Sequence, residues 1–136
     1  MIVRVDVLPV VPGTGRVLVA EVIGGYHGQA QLGRWWLPSA LLGEGEQPGD
    51  AAIRIVREQL GLVLERVVIV GSRQARVGDG WQLALVVAGE VGGDPEPRHP
   101  VSGFAARTLG ELPDQLGFWH RDDVAVLVSR YERLRA

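Results

Sequence analysis

The sequence predicts an α/β fold in which helices pack against a mixed β-sheet. Three observations carry that expectation: β-branched segments of alternating polarity open the chain, one well-bounded amphipathic helix follows, and further strands precede a second helix. At 136 residues, 46% hydrophobic and 22% charged, the chain has room for one domain, 1–136, with a proper core, and none for a second.

Ile2 to Val11 is rich in valine with Arg4 and Asp6 on the alternate face, so it reads as a half-buried strand ending at Pro12-Gly13. Arg16 to Ile23 repeats the theme after the turn Gly13-Thr14-Gly15. Tyr26 to Gly33 is a Gly- and Gln-rich loop, and Arg34-Trp35-Trp36-Leu37 is a short strand stopped by Pro38. The clearest helix spans Pro48 to Leu60: proline suits its first turn, Asp50 suits the positive end of its dipole, and Gly61 ends it. Its residues Ala52, Ile53, Val56 and Leu60 recur at three- and four-residue spacing and form a face that packs on the sheet. Arg66 to Arg76 and Trp81 to Val91 are strands around the turn Gly78-Asp79-Gly80. Gly92 to Pro100 is a loop, Gly103 to Thr108 a further strand, and Asp122 to Leu134 a closing amphipathic helix.

The formal net charge of -2 gives no global attraction to nucleic acid or acidic membranes, so any polyanion site must be local. All 14 basic residues are arginine. The absence of cysteine excludes disulfides, thiolate metal ligands and a cysteine nucleophile, and is compatible with the cytoplasm. Met1 to Val11 lacks the basic start and apolar run of a signal peptide, and no segment approaches the roughly 20 apolar residues of a membrane span. A cytoplasmic protein without membrane attachment is the expectation.

Leu37 to Glu46, followed by Ala51 to Arg54 and Glu58 to Leu62, resembles the Nudix hydrolase signature. That pattern is Gly, five residues, Glu, seven residues, then Arg-Glu-aliphatic-any-Glu-Glu-any-Gly-aliphatic. With Arg54 on the pattern's Arg, six positions agree without a gap: Glu46, Arg54, Val56, Glu58, Gly61 and Leu62. Three depart from it, since the opening Gly is Ala40, the Glu after Arg is Ile55 and the last Glu is Gln59. The resemblance extends over the whole chain and implies the Nudix fold, an α/β/α sandwich around a mixed β-sheet. Fold and activity are separable, so it supports the architecture more strongly than the chemistry.

Family members with Glu at all three helix positions gather carboxylates around Mg²⁺ or Mn²⁺, which bridges the substrate's pyrophosphate and activates water. Positions 55, 58 and 59 project from one helical face, and here they read Ile55, Glu58 and Gln59. By resemblance, Glu58 is the main metal ligand, Gln59 an auxiliary oxygen, Arg54 the orienting cation and Glu46 the loop carboxylate. A tight metal site is not expected from one anionic ligand and one amide. Glu46 has a second reading, as a carboxylate bonding the free N–H groups at the helix start. Ser39-Ala40 in place of the family's Gly-Gly makes close backbone approach to a phosphate harder.

Trp36 and Tyr26 are the expected ligand contacts, an aromatic ring being able to stack on any base. Adjacent residues of a strand face opposite ways, so at most one of Trp35 and Trp36 faces a given pocket. Burial in the core or a dimer contact is the simpler fate for most of the tryptophans, and an exposed loop pair is the simpler reading of Tyr26 and His27. Asp79, Glu90, Asp94 and Glu96 could by position supply a further carboxylate, but solvated charge is the simpler reading of each. No serine-hydrolase elbow, P-loop or dinucleotide-binding glycine pattern occurs.

Two main functions therefore stay open. One is Mg²⁺- or Mn²⁺-dependent hydrolysis of the pyrophosphate bond in a nucleoside diphosphate linked to another moiety, weakened or altered by the lost acids. The other is a non-catalytic Nudix-fold module that binds a nucleotide-like small molecule or a protein partner, with weak or absent metal binding. An enzyme with relocated carboxylates is a third. A homodimer is compatible with each.

Overall fold

Strand β1, Ile2–Val11, becomes the middle of the sheet because both of its edges find partners. A computed structural model describes residues 2–135; Met1 and Ala136, the ends of the 1–136 domain reading, lie outside the described residues. The elements are β1, β2 (Arg16–Glu21), β3 (Trp35–Trp36), β4 (Ser39–Leu41), α1 (Pro48–Leu60), β5 (Val63–Val77), β6 (Gly80–Gly92), β7 (Gly103–Thr108), the short pair β8 (Gln115–Leu116) and β9 (Trp119–His120), and α2 (Arg121–Leu134).

One edge of β1 runs parallel to β6 from Ile2↔Gln82 to Val10↔Glu90, and β5 lies antiparallel beyond it. The other edge is divided: Val10 and Val11 pair with β2, while Arg4 to Asp6 pair with β4. β2 carries β3 and β7 outward. The sheet is thus mixed, as the order of elements predicts.

Period-two alternation sorts its side chains into two cores. Val5 and Val7 of β1, Leu18 and Ala20 of β2 and Val87 of β6 meet Ala51, Ala52, Ile55, Val56 and Leu60 of α1. Leu8, Val17, Val19, Val86 and Ala88 face the other way, onto Val124, Leu127, Val128 and Tyr131 of α2. One helix on each face makes the α/β/α sandwich.

Helix α1 has the predicted bounds. Gly61 takes the left-handed conformation at φ 65°, and its N–H returns to the Arg57 carbonyl at 3.1 Å. The loop after β6 also serves the helix end, since the N–H groups of Glu96 and Arg98 donate to the carbonyls of Leu60 and Gln59 at 2.6 and 2.9 Å. The second helix starts at Arg121, one residue earlier than expected, because the His120 ring accepts the Asp122 N–H.

β1 departs from the half-buried expectation. Arg4 and Asp6 are 0% and 3% exposed, under α2's side of the sheet. Asp6 receives Arg4 Nε at 2.8 Å, Arg4 Nη2 at 3.0 Å and the Trp119 indole N–H at 2.7 Å. A buried ion pair persists only when its lone pairs and protons are satisfied, and here Gln82 at 3.3 Å and the Phe118 ring 4.4 Å away complete the guanidinium's surroundings. Alternation marked these two residues as sharing a face; it could not tell that the face is covered. No helix among the described residues is long and apolar enough to cross a membrane.

Candidate functional site

The loop between β4 and α1 is bound to the helix by one side chain. Arg54 donates from Nε to Glu46 Oε2 at 2.8 Å and from Nη2 to Glu46 Oε1 at 3.0 Å, and Nη2 also reaches the Leu41 carbonyl at 3.2 Å. The same Oε1 accepts the Gly43 N–H at 3.0 Å. The capping role considered for Glu46 is therefore not what its carboxylate does: Gln47 is the N-cap, without a side-chain bond, and Glu46 closes the loop instead. The Arg54 hydrogen bonds, and secondarily the Gly43 N–H, hold the Glu46 carboxyl below its usual range, while Glu46 raises the guanidinium.

Positions 55, 58 and 59 fall in different environments. Ile55 is fully buried in the α1 core. Glu58 is the exposed member, its side chain 57% accessible, and Arg54 at 3.5 Å is its ion partner among the described residues. Gln59 is 8% exposed and bonded at both ends: Oε1 accepts the Tyr26 hydroxyl at 2.6 Å and Nε2 donates to the Ser39 carbonyl at 2.9 Å. A helix turns about 100° per residue. The face that 55, 58 and 59 share is therefore split, with 55 and 59 toward the sheet and 58 at the rim.

Tyr26 and Trp36 are both 3% exposed and belong to the core beneath the box. Their rings cross edge-to-face at 5.4 Å, and Trp36 crosses Phe118 likewise at 5.8 Å, with its N–H donated to the Gly33 carbonyl at 2.9 Å. Burial pushes the Tyr26 phenol far up from its ordinary value. The neighbouring tryptophan, Trp35, packs on the opposite face, as strand alternation requires. His27, held at φ 54°, faces Ser39 Oγ at 3.2 Å; burial first, and Arg4 second, lower its pKa.

Sequence patterning leaves out the buried polar cluster on the α2 side of the sheet, where Arg4 meets Asp6 and Gln82 and Asp6 meets Trp119. Two opposite charges two residues apart in a valine-rich strand were its one readable sign.

The donor set does not fit a preformed divalent-cation centre. Among the described residues no three His, Asp or Glu side chains gather as metal ligands. Ile55 has no donor atom, the Gln59 oxygen accepts Tyr26, and Glu46 is occupied by Arg54 and Gly43. Glu58 alone remains, where hard cations want several oxygens. Of the later acids, Glu90 pairs with Arg66 and Arg135. Glu96 lies against Gly61 at the helix end with its carboxylate 3.1 Å from Arg98.

Residues 2–126 match the family model described as NUDIX domain. Among solved structures the fold is similar to a MutT NUDIX hydrolase from Burkholderia pseudomallei, with TM-score 0.73 and 22% identity over 90% of this chain and 96% of that one. It is also similar to the NUDIX domain of Shewanella oneidensis NrtR complexed with ADP ribose, with TM-score 0.75 and 17% identity over 96% and 88% of the two chains. An ADP-ribose pyrophosphatase from Streptococcus suis matches with TM-score 0.70 and 16% identity over 99% and 92%.

Proposed function

The chain belongs to the NUDIX domain family, and on that premise we propose that it binds a nucleoside-diphosphate-type ligand without metal-assisted hydrolysis. The observation that carries this reading is the burial of the two box positions where glutamate is replaced, Ile55 in the apolar core and Gln59 between Tyr26 and Ser39. Two of the three positions that would supply carboxylates are thereby committed to packing. The ligand class is supported by the similar NUDIX domain complexed with ADP ribose.

In this reading Arg54 and Glu46 shape the loop, and Gln59, Tyr26 and Trp36 hold it from beneath rather than touching the ligand. The ligand meets the exposed groups at the outer end of α1, Arg57 and Glu58, and Arg98 of the adjoining loop. Arginine suits a pyrophosphate because its fork binds anionic oxygens without needing a metal. The proposed setting is the cytoplasm.

One observation favours a second reading, a slow hydrolase. The Glu58 carboxylate is exposed and only loosely paired, so it is free to engage a cation that arrives with the substrate's phosphates.

ADP-ribose tests the two readings under different conditions, the first in EDTA and the second with Mn²⁺. Saturating ligand at about 100 times its Kd stabilises a protein by about 2.7 kcal/mol. The proposal expects a rise of several degrees in melting temperature, and intact ADP-ribose after prolonged incubation with Mn²⁺. AMP release with Mn²⁺, abolished by Glu58→Gln, selects the second reading and its absence counts against it; no thermal shift with ADP-ribose in EDTA counts against the first.

A further inference from the structure

We infer that the Gln59 amide does the work of a cation, closing the Nudix box from inside by joining β4 to the loop that carries Tyr26. The inference rests on the metal-free reading above and assigns the residue that makes it workable.

The orientation of the amide follows from its partners. A backbone carbonyl can only accept, so the group 2.9 Å from the Ser39 oxygen must be the amide nitrogen. The amide oxygen then faces Tyr26, whose hydroxyl donates to it at 2.6 Å. Three elements distant in the chain meet at one neutral group, and all three residues are nearly inaccessible to water. No buried side-chain polar atom among the described residues lacks a partner, so the relay is complete as it stands.

The family pattern has glutamate at this position. In the same geometry a carboxylate would still accept from Tyr26, but its second oxygen would face the Ser39 carbonyl at hydrogen-bond distance with nothing between them. Two buried acceptors hold that arrangement only around a cation or a shared proton. The amide N–H removes the demand for a counter-ion, and the box closes without metal.

The test compares melting temperatures of wild type and Gln59→Glu in EDTA and in Mn²⁺, each at pH 8 and pH 5. Wild type is expected to melt at the same temperature with and without Mn²⁺. Gln59→Glu is expected to melt about 5–10 °C lower in EDTA at pH 8. Most of that difference from wild type should close with Mn²⁺, and also when both proteins are compared at pH 5, where protonation of the introduced acid restores a donor toward Ser39. A variant as stable as wild type in EDTA at pH 8, or one that neither Mn²⁺ nor acid rescues, overturns the inference. If Gln59→Glu does not fold, Gln59→Met decides: a lower melting temperature indifferent to Mn²⁺ supports the inference, and wild-type stability overturns it. ADP-ribose binding by wild type in EDTA is read separately. Its absence sinks the ligand reading and leaves this outcome standing, whereas a failed rescue sinks this inference and leaves ligand binding standing.

Discussion

Arg54 and Glu46 meet through two hydrogen bonds of 2.8 and 3.0 Å across a separation of eight residues, tying helix α1 to the loop before it. Both side chains are partly accessible, so water and salt weaken the pair without abolishing it. Arg54→Ala or Glu46→Gln should each cost about 1 kcal/mol in urea unfolding. The folded Glu46 carboxyl lies below its unfolded value, so its contribution is present above the ordinary glutamate pKa of about 4.3 and is lost as pH falls through the lower folded value. Comparing unfolding at pH 7 and pH 3.5 should show a smaller pH-dependent loss in Glu46→Gln than in wild type.

His27 gives a dependence nearer neutrality. It faces Ser39 from β4, Arg4 and Asp6 from β1 and the adjoining Tyr26 ring; burial and Arg4 disfavour its charged form, while Asp6 favours it. The unfolded chain therefore binds a proton first. Stability should be complete above the ordinary histidine value of about 6.5, decline as pH drops below it, and level off under the folded value. His27→Asn, which tolerates the left-handed backbone found there, should flatten thermal stability between pH 7 and pH 5.

The buried charge pair sets the largest effects. Asp6→Asn leaves Arg4 without its anion and should cost about 3–5 kcal/mol. Trp119→Phe keeps an aromatic ring but deletes the N–H bonded to Asp6, for a loss of about 1–2 kcal/mol. Guanidinium unfolding of the two variants should rank them in that order.

Gly117 lies where β8 and β9 meet the box's aromatic floor. Its φ is 63°, and a Cβ there would overlap the Trp36 ring at Cε3. Gly117→Ala combines a left-handed strain with an overlap against a buried ring, so a loss of about 3 kcal/mol or more is expected. Loss of near-UV circular dichroism from the Trp36 environment would accompany it.

Much of this architecture was legible because local signals agreed. Proline, aspartate and glycine bounded α1 at Pro48 and Leu60, and the valine-rich alternation of Ile2 to Val11 gave β1 its full length. β4 went unread because three residues after a proline carry no periodicity, and β8 and β9 because two-residue strands carry less still. At the site, the Arg54–Glu58 proximity follows from helical spacing. What Gln59 touches does not, since Tyr26 and Ser39 reach it through long-range folding. Motif spacing placed 55, 58 and 59 together; the sheet beneath the helix separated them into two buried positions and one at the rim.

The box is closed as a scaffold by Arg54, Glu46 and Gln59, and among the described residues no side chains gather as a preformed metal centre. Titration of the wild-type protein with Mn²⁺, followed by electron paramagnetic resonance of the free ion, tests it without any substrate. Free Mn²⁺ is expected to rise in proportion to that added throughout the micromolar range. One tightly held ion per chain, lost in Glu58→Gln, would contradict it.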